Sequence, residues 1–467
     1  MSPGFVRDNT TEGMLDILSL SAVKQSRLLR ERAISSRDLV GAHLERIRAV
    51  NPQINAAIEV FEERAMEDAA AADRRIAAQD ARPLEGVPFS VKDSIEIAGV
   101  QCTAGTIGRA HSAPATCDAT LVARLRAAGA IPIARTNLPD LLFAFESDNL
   151  LYGRTNSPYD TAYTPGGSSG GEAALIAACG SPFGLGSDAA GSVRVPAAFS
   201  GIASIKPTSG RLPRTGHVPP AGGWIESLWQ IGPMARWVED LQLLMPLLVG
   251  PDGHDHTSPP VPWRDEDASR LRVAFWTENS DAEVSAVVRA AARMLEADEA
   301  RPACIDDAYD LEMKLLGPDG GDGLRAYLKE IGSVCVHPLL EGWLQKLEPY
   351  RTDVPGLQRY WGEWDAYRAE MMTFARTYDV IVCPAYAHPG LRHGESVKDA
   401  NFRGFAHTMA FNVAGWPAAV VRCGTSSEGL PIAVQIAAGP WRESAALAVA
   451  KRLEESMGGW QVPETLG

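Results

Sequence analysis

Two serine-containing turns carry the residues of this sequence that are best suited to covalent chemistry. One is TPGGSSGGEAAL at residues 164–175, and the other is GLGSDAAGSVRVP at residues 184–196. Glycines on both sides of Ser168 would let the backbone closely approach another backbone or a ligand, at an entropic cost that ordinary turns avoid. Three alternatives follow for the first turn: a flexible turn, an anion-binding loop or a nucleophile site.

The first turn fits an anion-binding loop or a nucleophile elbow poorly. A phosphate-binding loop needs a lysine followed by Ser or Thr at the helix start, where this sequence has Glu172. GSSGG also matches G-x-S-x-G with Ser169 at its centre, but a strand should precede that elbow, and YDTAYTP has the character of a loop. Glu172 follows Ser169 at capping-box spacing, so Ser169 is predicted to cap a helix. Gly180 is a suitable residue to end this helix, which is therefore predicted over residues 170–179. Ser168 is then left without a structural role.

A second candidate hydroxyl is that of Ser192. It follows three small residues, Ala189, Ala190 and Gly191. Their backbone N–H groups could converge on a developing negative charge. Ser192 lies 192 − 168 = 24 residues after Ser168, which is enough for one helix and one strand to bring the chain back to the same end of a sheet.

The candidate base is Lys92, a lone cation in the apolar segment GVPFSVKD. Burial lowers the proton affinity of a lysine, and a helix N-terminus such as the one predicted at Gly170 lowers it further. None of the nine histidines stands in a recognisable triad setting. Each feature alone has an ordinary explanation, since such a lysine usually pairs with a carboxylate such as that of Asp93. Their joint occurrence favours a catalytic site, because a serine nucleophile needs a base.

The elements around these residues are predicted to alternate between strand and helix. Residues 86–93 form a short segment bounded by Gly and Pro, typical of a buried strand. A helix over 119–128, a stop at Gly129 and a strand over 131–134 then give half of a βαβ unit. The core is therefore predicted to be α/β.

Two further regions are predicted to be helical. Residues 1–80 include a helix that begins after Ser35 or Ser36 and ends at Pro52. Residues 301–374 combine helical character with many aromatic side chains.

The composition disfavours several kinds of partner. The 467 residues include 44 basic and 58 acidic ones, a net charge of −14, and lack a long run of basic residues, so binding to nucleic acid or to an anionic membrane is not expected. Seven scattered cysteines argue against a disulfide framework. Charges at Arg7, Asp8, Glu12 and Asp16 interrupt any signal-like stretch, and no segment reaches the roughly 18 apolar residues of a membrane span. We expect a cytoplasmic protein.

The block GGSSGGEAALIAACGSPFGLGSDAAGSVRVPAAFSGIASIKPTSGR, residues 166–211, strongly resembles the signature of the amidase signature family. GVPFSVKDSIEIAG, RTNLPDL, IGPMARWVEDL, AGWPAAVV and GLPIAVQIAA resemble its flanking segments in the same order. The resemblance covers most of the chain, is weakest over 250–375, and is closest to members like the fatty-acid amide hydrolases. It implies an α/β/α sandwich around a central mixed sheet. Residues 1–467 would form one domain, with a signature core over 84–250 and a variable helical pocket region over 300–375.

The resemblance implies a role for each candidate residue. Lys92 corresponds to the base, Ser168 to a proton relay that follows a cis peptide bond after Gly167, and Ser192 to the nucleophile. The oxyanion hole would be formed by the backbone N–H groups of Ala189, Ala190, Gly191 and Ser192.

The residues beside the nucleophile show one departure from the family. Asp188 and Arg194 match positions that brace the turn, although Arg194 could instead meet a substrate carboxylate. The family usually has two glycines before the nucleophile, whereas this chain has Ala190 and Gly191. The alanine requires an ordinary φ or strain, so the hole could be reshaped.

The substrate pocket is predicted from residues 141–149 and from the aromatic helices. Its candidate lining residues are Leu142, Phe145, Trp361 and Trp364, although the aromatic side chains could simply pack the helices together. An apolar lining favours aryl or alkyl carboxamides, while carbamates and esters present a similar carbonyl to the same serine.

Two other functions are less favoured. A glutamine-amidase subunit of a tRNA amidotransferase would need protein and tRNA partners, and a non-catalytic binding relative would not need the triad. We expect a monomer or homodimer that acts on a small molecule. No cofactor is expected, and no metal either, since no H-E-x-x-H or similar spacing occurs.

Overall fold

The computed structural model describes residues 11–220 and 223–466, and within these ranges one mixed sheet of 11 strands organises the chain. In chain order the strands are β1 (Ala57–Val60), β2 (Pro88–Lys92), β3 (Ile131–Thr136), β4 (Phe183–Asp188), β5 (Ala203–Lys206), β6 (Gln230–Ala235), β7 (Val273–Phe275), β8 (Asp298–Glu299), β9 (Val380–Pro384), β10 (Ala418–Thr425) and β11 (Pro431–Ala438). Their order across the sheet is β1-β3-β2-β4-β6-β5-β10-β11-β9-β7-β8.

Helices flank this sheet, which confirms the predicted α/β class. They are α1 (Thr11–Ser19), α2 (Ala22–Arg30), α3 (Ser36–Ile54), α4 (Glu62–Ala77), α5 (Thr120–Ala127), α6 (Gly170–Ala177), α7 (Arg194–Phe199), α8 (Val238–Leu248), α9 (Ala282–Leu295), α10 (Ala308–Leu316), α11 (Asp322–Glu330), α12 (Pro338–Leu347), α13 (Val354–Phe374), α14 (Asp399–Phe402), α15 (Ala406–Val413) and α16 (Glu443–Met457).

The centre of the sheet is parallel where the candidate site lies. β2 pairs in parallel with both β3 and β4, and α5 connects β2 to β3, so the predicted βαβ half-unit is confirmed. Every residue of these three strands is buried, as expected for parallel strands that are covered on both faces. The remaining strand pairs are antiparallel except at the far edge, where β7 pairs in parallel with β8 and β9.

The N-terminal part is mostly helical, as predicted, but strand β1 (Ala57–Val60) interrupts it and one helix boundary is in error. Ser35 caps α3 by accepting a hydrogen bond from the Asp38 N–H at 3.0 Å. The helix continues past Pro52 to Ile54, because proline itself favours a helical φ and removes only one backbone hydrogen bond near the helix end. Residues 1–10, which include Arg7 and Asp8 of the charged N-terminus, lie outside the described residues.

None of the helices in the described ranges combines the length and the apolar character that a membrane crossing requires.

Candidate active site

The candidate residues Lys92, Ser168 and Ser192 come from three segments that meet at the carboxyl ends of the central strands. Lys92 is the last residue of β2, and the turn with Ser192 directly follows β4. Because β2 and β4 are parallel neighbours, their carboxyl ends lie side by side. Ser168 stands just before α6, the helix that leads into β4, and the Ser169 N–H donates to the Ser192 carbonyl at 3.0 Å. The structure thus brings together the three residues that the sequence suggested.

Lys92 contacts the relay candidate directly. Its Nζ lies 2.7 Å from Ser168 Oγ, and its side chain is fully buried. It does not pair with Asp93, whose carboxylate accepts a hydrogen bond from Arg135 at 2.5 Å. The ordinary explanation for Lys92, a strand-end ion pair with the next residue, is therefore wrong.

Burial controls the charge state of Lys92. It lowers the pKa of the Lys92 ammonium well below its usual 10.5, while Asp188 and Glu172 act in the opposite direction. A lysine whose pKa is lowered loses its proton at a lower pH than an exposed lysine does, and the uncharged amine can accept a proton from a hydroxyl.

Ser187 is a contact of Lys92 that the sequence reasoning missed. Its Oγ lies 3.1 Å from Lys92 Nζ, and it lines the same cleft as Ser168 and Ser192. Its position at the carboxyl end of β4, next to Asp188, is the signal that could have identified it. Two hydroxyl groups therefore fix the position of the Lys92 amine.

Gly167 is required by a close approach of two backbone segments. The Gly167–Ser168 peptide bond is cis, as the resemblance implied. A Cβ on Gly167 would lie 2.5 Å from the Glu146 backbone N and 2.7 Å from the Ala144 carbonyl oxygen. Any larger residue would therefore displace the 144–146 segment or Ser168.

The predicted capping box at Ser169 and Glu172 is wrong. Ser169 Oγ donates to the Ser187 carbonyl and accepts from the Ser187 N–H, both at 3.3 Å. Glu172 accepts hydrogen bonds from the Ser90 hydroxyl and, at 2.7 Å, from the Thr136 hydroxyl. Because α6 is buried on all sides, polar groups on neighbouring strands compete successfully with its own first turn.

A side chain distant in sequence caps α6 instead. Ser147 Oγ accepts a hydrogen bond from the Gly170 N–H at 2.9 Å. The helix ends at Ala177, two residues before the predicted Cys179, which adopts a left-handed φ of 64°.

The turn before Ser192 offers fewer oxyanion donors than predicted. The Gly191 N–H donates to Asp188 Oδ1 at 2.9 Å, so it is not available to a substrate. Within residues 11–220 and 223–466, no acceptor pairs with the N–H groups of Ala189, Ala190 and Ser192. Gly191 takes the positive φ, 132°, and Ala190 does not, so the alanine fits here without left-handed strain.

Asp188 and Arg194 brace this turn from behind. The Arg194 guanidinium donates to Asp188 at 2.8 and 3.0 Å and to the Thr408 carbonyl and Gln435 Oε1 at 2.7 Å each. It also donates to Asn412 Oδ1, and its side chain has no exposed surface. The alternative role for Arg194, binding a substrate carboxylate, is therefore not supported.

The charge of Asp188 is strongly stabilised. Burial by itself would raise its pKa, but Arg194 and Asn412 outweigh that effect and lower the pKa to about 2. Asp188 is thus an anion at neutral pH, and its carboxylate orders the turn through the N–H groups of Gly191 and Val193, the second at 3.1 Å.

A cleft opens in front of Ser168, Ser187 and Ser192. It is lined by Leu142, Phe143, Ala144, Phe145, Ser168, Ser187, Ala189, Ala190, Ser192, Trp229, Leu316 and Trp343. None of these residues is charged. The only polar side chains in the lining, apart from the indole N–H groups, are the three serine hydroxyls, and Ser192 keeps 8% of its surface exposed.

Two of the four predicted pocket residues do not reach the cleft. Leu142 and Phe145 line it, but Trp361 lies on the surface of α13 with 45% of its area exposed. Trp364 is buried elsewhere, where its Nε1–H donates to the Val413 carbonyl at 2.7 Å. Residue type alone could not show that α13 turns both tryptophans away from the cleft, and the variable region contributes Trp343 instead.

A possible cation site lies outside the cleft. Within the described ranges one group of ligand-type side chains lies close enough to share an ion, namely Glu226, Asp255 and His256. Arg214 already pairs with both carboxylates, at 2.5 and 3.2 Å. We attach no function to this group.

Comparisons with known proteins show which family this chain resembles in sequence and in structure. Residues 38–307 and 325–447 match the family model named Amidase. The chain is 32% identical to fatty-acid amide hydrolase 2 of Homo sapiens, over 96% of this chain and 91% of that protein. It is 33% identical to a glutamyl-tRNA(Gln) amidotransferase subunit of Treponema pallidum (strain Nichols), over 92% of this chain and 96% of that one. A solved structure of 6-aminohexanoate cyclic dimer hydrolase with its substrate superposes with a TM-score of 0.86 at 28% identity, over 97% and 100% of the two chains.

Proposed function

The chain belongs to the amidase family, and we propose that it hydrolyses uncharged aryl or alkyl carboxamides through a covalent acyl-enzyme. It is an amidase, an enzyme that acts on carbon–nitrogen bonds. The observation that supports this mechanism most directly is the 2.7 Å contact between Lys92 Nζ and Ser168 Oγ, beside Ser192 in the same cleft.

In the first half-reaction Lys92, Ser168 and Ser192 transfer protons from one to the next. Uncharged Lys92 accepts the proton of Ser168, which takes the proton of Ser192 as Ser192 Oγ attacks the amide carbon. Ser168 then donates a proton to the amine nitrogen as the C–N bond breaks, and Lys92 returns its proton to Ser168 and is uncharged again. The acyl group stays on Ser192 and the amine leaves.

In the second half-reaction water replaces the amine. Ser168 passes its proton to Lys92 and accepts one from the water that attacks the acyl ester. When the carboxylic acid is released, Ser168 donates a proton to Ser192 and Lys92 returns its proton to Ser168. The same relay therefore serves both steps.

The oxyanion of each tetrahedral intermediate is held by backbone N–H groups. We assign this role to Ala189, Ala190 and Ser192, which leaves Gly191 to shape the turn through Asp188. Such fixed donors stabilise charge that develops in the transition state.

The cleft lining favours a substrate without charges. Free glutamine carries an ammonium and a carboxylate, and each would need a partner once it is removed from water. The lining residues include no charged side chain and several aromatic rings. An apolar carboxamide therefore suits this site better than glutamine does.

The test is the activity of the purified full-length chain, without partner proteins, on a matched panel of an anilide, an alkyl amide, glutamine and an aryl carbamate. We expect the anilide or the alkyl amide to be cleaved with the highest kcat/KM and glutamine to be left intact. A preference for glutamine would refute the substrate assignment. A preference for the carbamate would keep the acyl-enzyme but change the substrate class.

A further inference from the structure

The helix α10 (Ala308–Leu316) lies between the two segments of the chain that match the family model. The family model matches residues up to 307 and resumes at 325, so α10 lies in the unmatched segment. Its last residue, Leu316, nevertheless lines the cleft in front of the serines. A segment between the two matched ranges therefore contributes to the wall of the candidate active site.

The neighbours of α10 connect it to the oxyanion turn. It packs against α15 (Ala406–Val413), which carries two residues that hold that turn. Thr408 Oγ1 donates to the Ala190 carbonyl at 2.8 Å, and Asn412 Nδ2 donates to Asp188 Oδ1 at 2.9 Å. The helix α10 thus lies one layer behind the turn.

The face of α10 that carries Leu316 is directed inward. Glu312 precedes Leu316 by four residues, so the two side chains share one face of the helix. Glu312 is fully buried, and Asp188, Arg194 and Lys206 all influence its pKa, which burial raises well above its usual value. At Glu312 this face therefore points toward Asp188 and Arg194. One turn later, at Leu316, it points toward the cleft.

Leu316 differs from most of the large apolar residues around it. Leu142, Phe145, Trp229 and Trp343 are buried in the core. Phe145, for example, stacks on Phe405 with ring centroids 3.6 Å apart. Leu316 is only half-buried, at a helix end. It packs against the neighbouring core with part of its side chain and leaves the rest open, so a change of its size alters the free space of the cleft.

We propose that Leu316 is a specificity-determining residue that limits the size of the apolar group the cleft accepts. The inference rests on the proposed amidase function. A smaller residue at position 316 opens space for a larger aryl or alkyl group, and a larger residue closes it.

The test compares Leu316→Ala and Leu316→Phe with the unmodified enzyme on two series of amides. One series enlarges the acyl group at a constant p-nitroaniline, and the other enlarges the amine at a constant acyl group. In the series whose variable group occupies the cleft, Leu316→Ala should raise the kcat/KM of large over small substrates about tenfold or more, and Leu316→Phe should lower this ratio. Leu316→Val, the mildest change, should shift the ratio in the direction of alanine by a smaller factor.

Leu311→Ala is the matched control. Leu311 lies on the same helix and is buried in a cluster that does not line the cleft. Its truncation removes the same atoms and should lower the melting temperature while leaving both substrate ratios unchanged.

The outcomes separate the two proposals. If amides are cleaved but neither ratio moves in any Leu316 variant, the role of Leu316 is refuted and the amide hydrolase remains. An equal shift in Leu311→Ala would also refute it, since the effect would then be one of stability. If the unmodified enzyme cleaves no amide in either series, the proposed function fails and this inference falls with it.

Discussion

Lys92 Nζ lies 2.7 Å from Ser168 Oγ, and no part of the Lys92 side chain reaches the solvent. Burial lowers the pKa of Lys92 well below its usual 10.5, so the amine loses its charge at a lower pH than an exposed lysine would. The proposed mechanism requires this uncharged form. The kcat/KM of an anilide should therefore rise with pH and level off at an apparent pKa well below 10.5.

A pH profile that followed a group near 6.5 would instead indicate a histidine base. The imidazole of His217 would not produce such a profile, because burial lowers its pKa to about 3. Lys92→Arg provides the control, since a guanidinium keeps the charge and cannot accept the proton. We expect its amide turnover to fall by orders of magnitude and its hydrolysis of an activated ester to fall less.

Ser192→Ala should abolish both turnover and covalent labelling by a fluorophosphonate. Ser192 keeps some exposed surface in the cleft. It lies next to backbone N–H groups that donate to no acceptor among the described residues. Mass spectrometry of the labelled protein measures the adduct directly. Ser169→Ala is the matched control and should still be labelled, because the Ser169 hydroxyl is bonded to the Ser187 backbone. Normal labelling of Ser192→Ala would move the nucleophile elsewhere.

Arg194→Met should lower the free energy of unfolding by about 3–5 kcal/mol, because it leaves Asp188 charged and unpaired in the interior. Urea unfolding measures this change. The double variant Asp188→Asn with Arg194→Met should recover part of the loss. Arg289→Met, at an exposed position of α9, is the control and should have little effect. An equally small effect of Arg194→Met would mean that the brace contributes no stability.

The stability of the protein in acid should depend on Asp188. Its pKa in the folded protein, about 2, lies below the ordinary 3.8, so the unfolded state binds its proton more readily. The stabilisation is complete above 3.8 and is lost as the pH falls toward 2. Melting temperatures measured between pH 5 and pH 2 should therefore depend less on pH in Asp188→Asn than in the unmodified chain.

Trp364→Ala and Trp361→Ala should differ in stability and agree in substrate preference. Trp364 is buried and bonded to the Val413 carbonyl, so its truncation should cost about 3–5 kcal/mol of unfolding free energy. Trp361 is 45% exposed, and its loss should have a small effect. Relative rates across an amide series should be unchanged in both variants. A changed preference would place α13 closer to the substrate than the structure does.

The sequence was informative where a local pattern decides the structure. The strand that ends at Lys92 follows from patterning within a few residues, since the predicted segment 86–93 contains β2 (Pro88–Lys92). The positions of Ser168 and Ser192 were found because each stands in a turn rich in small residues. The signature resemblance then connected these turns to Lys92.

Errors arose where distant segments compete for the same group. Ser169 and Glu172 have suitable spacing for a capping box, but strands β2, β3 and β4 offer them other partners. A local contact was missed as well, because the Gly191 N–H donates to the carboxylate of Asp188, three residues earlier in the chain. Trp361 and Trp364 could not be assigned to a face, because α13 carries aromatic residues on more than one side.

Arg194 forms hydrogen bonds with residues that are distant in the sequence, and this has a consequence for how the protein folds. Its guanidinium joins residues that lie 6, 214 and 241 positions away in the chain, at Asp188, Thr408 and Gln435. Contacts of such sequence separation form slowly, because the intervening loop must first be ordered. During synthesis, all three triad residues leave the ribosome long before Gln435 does. The nucleophile turn therefore gains its final support only when the last strands dock onto the sheet, so the nascent chain should remain inactive until almost all of it has been made.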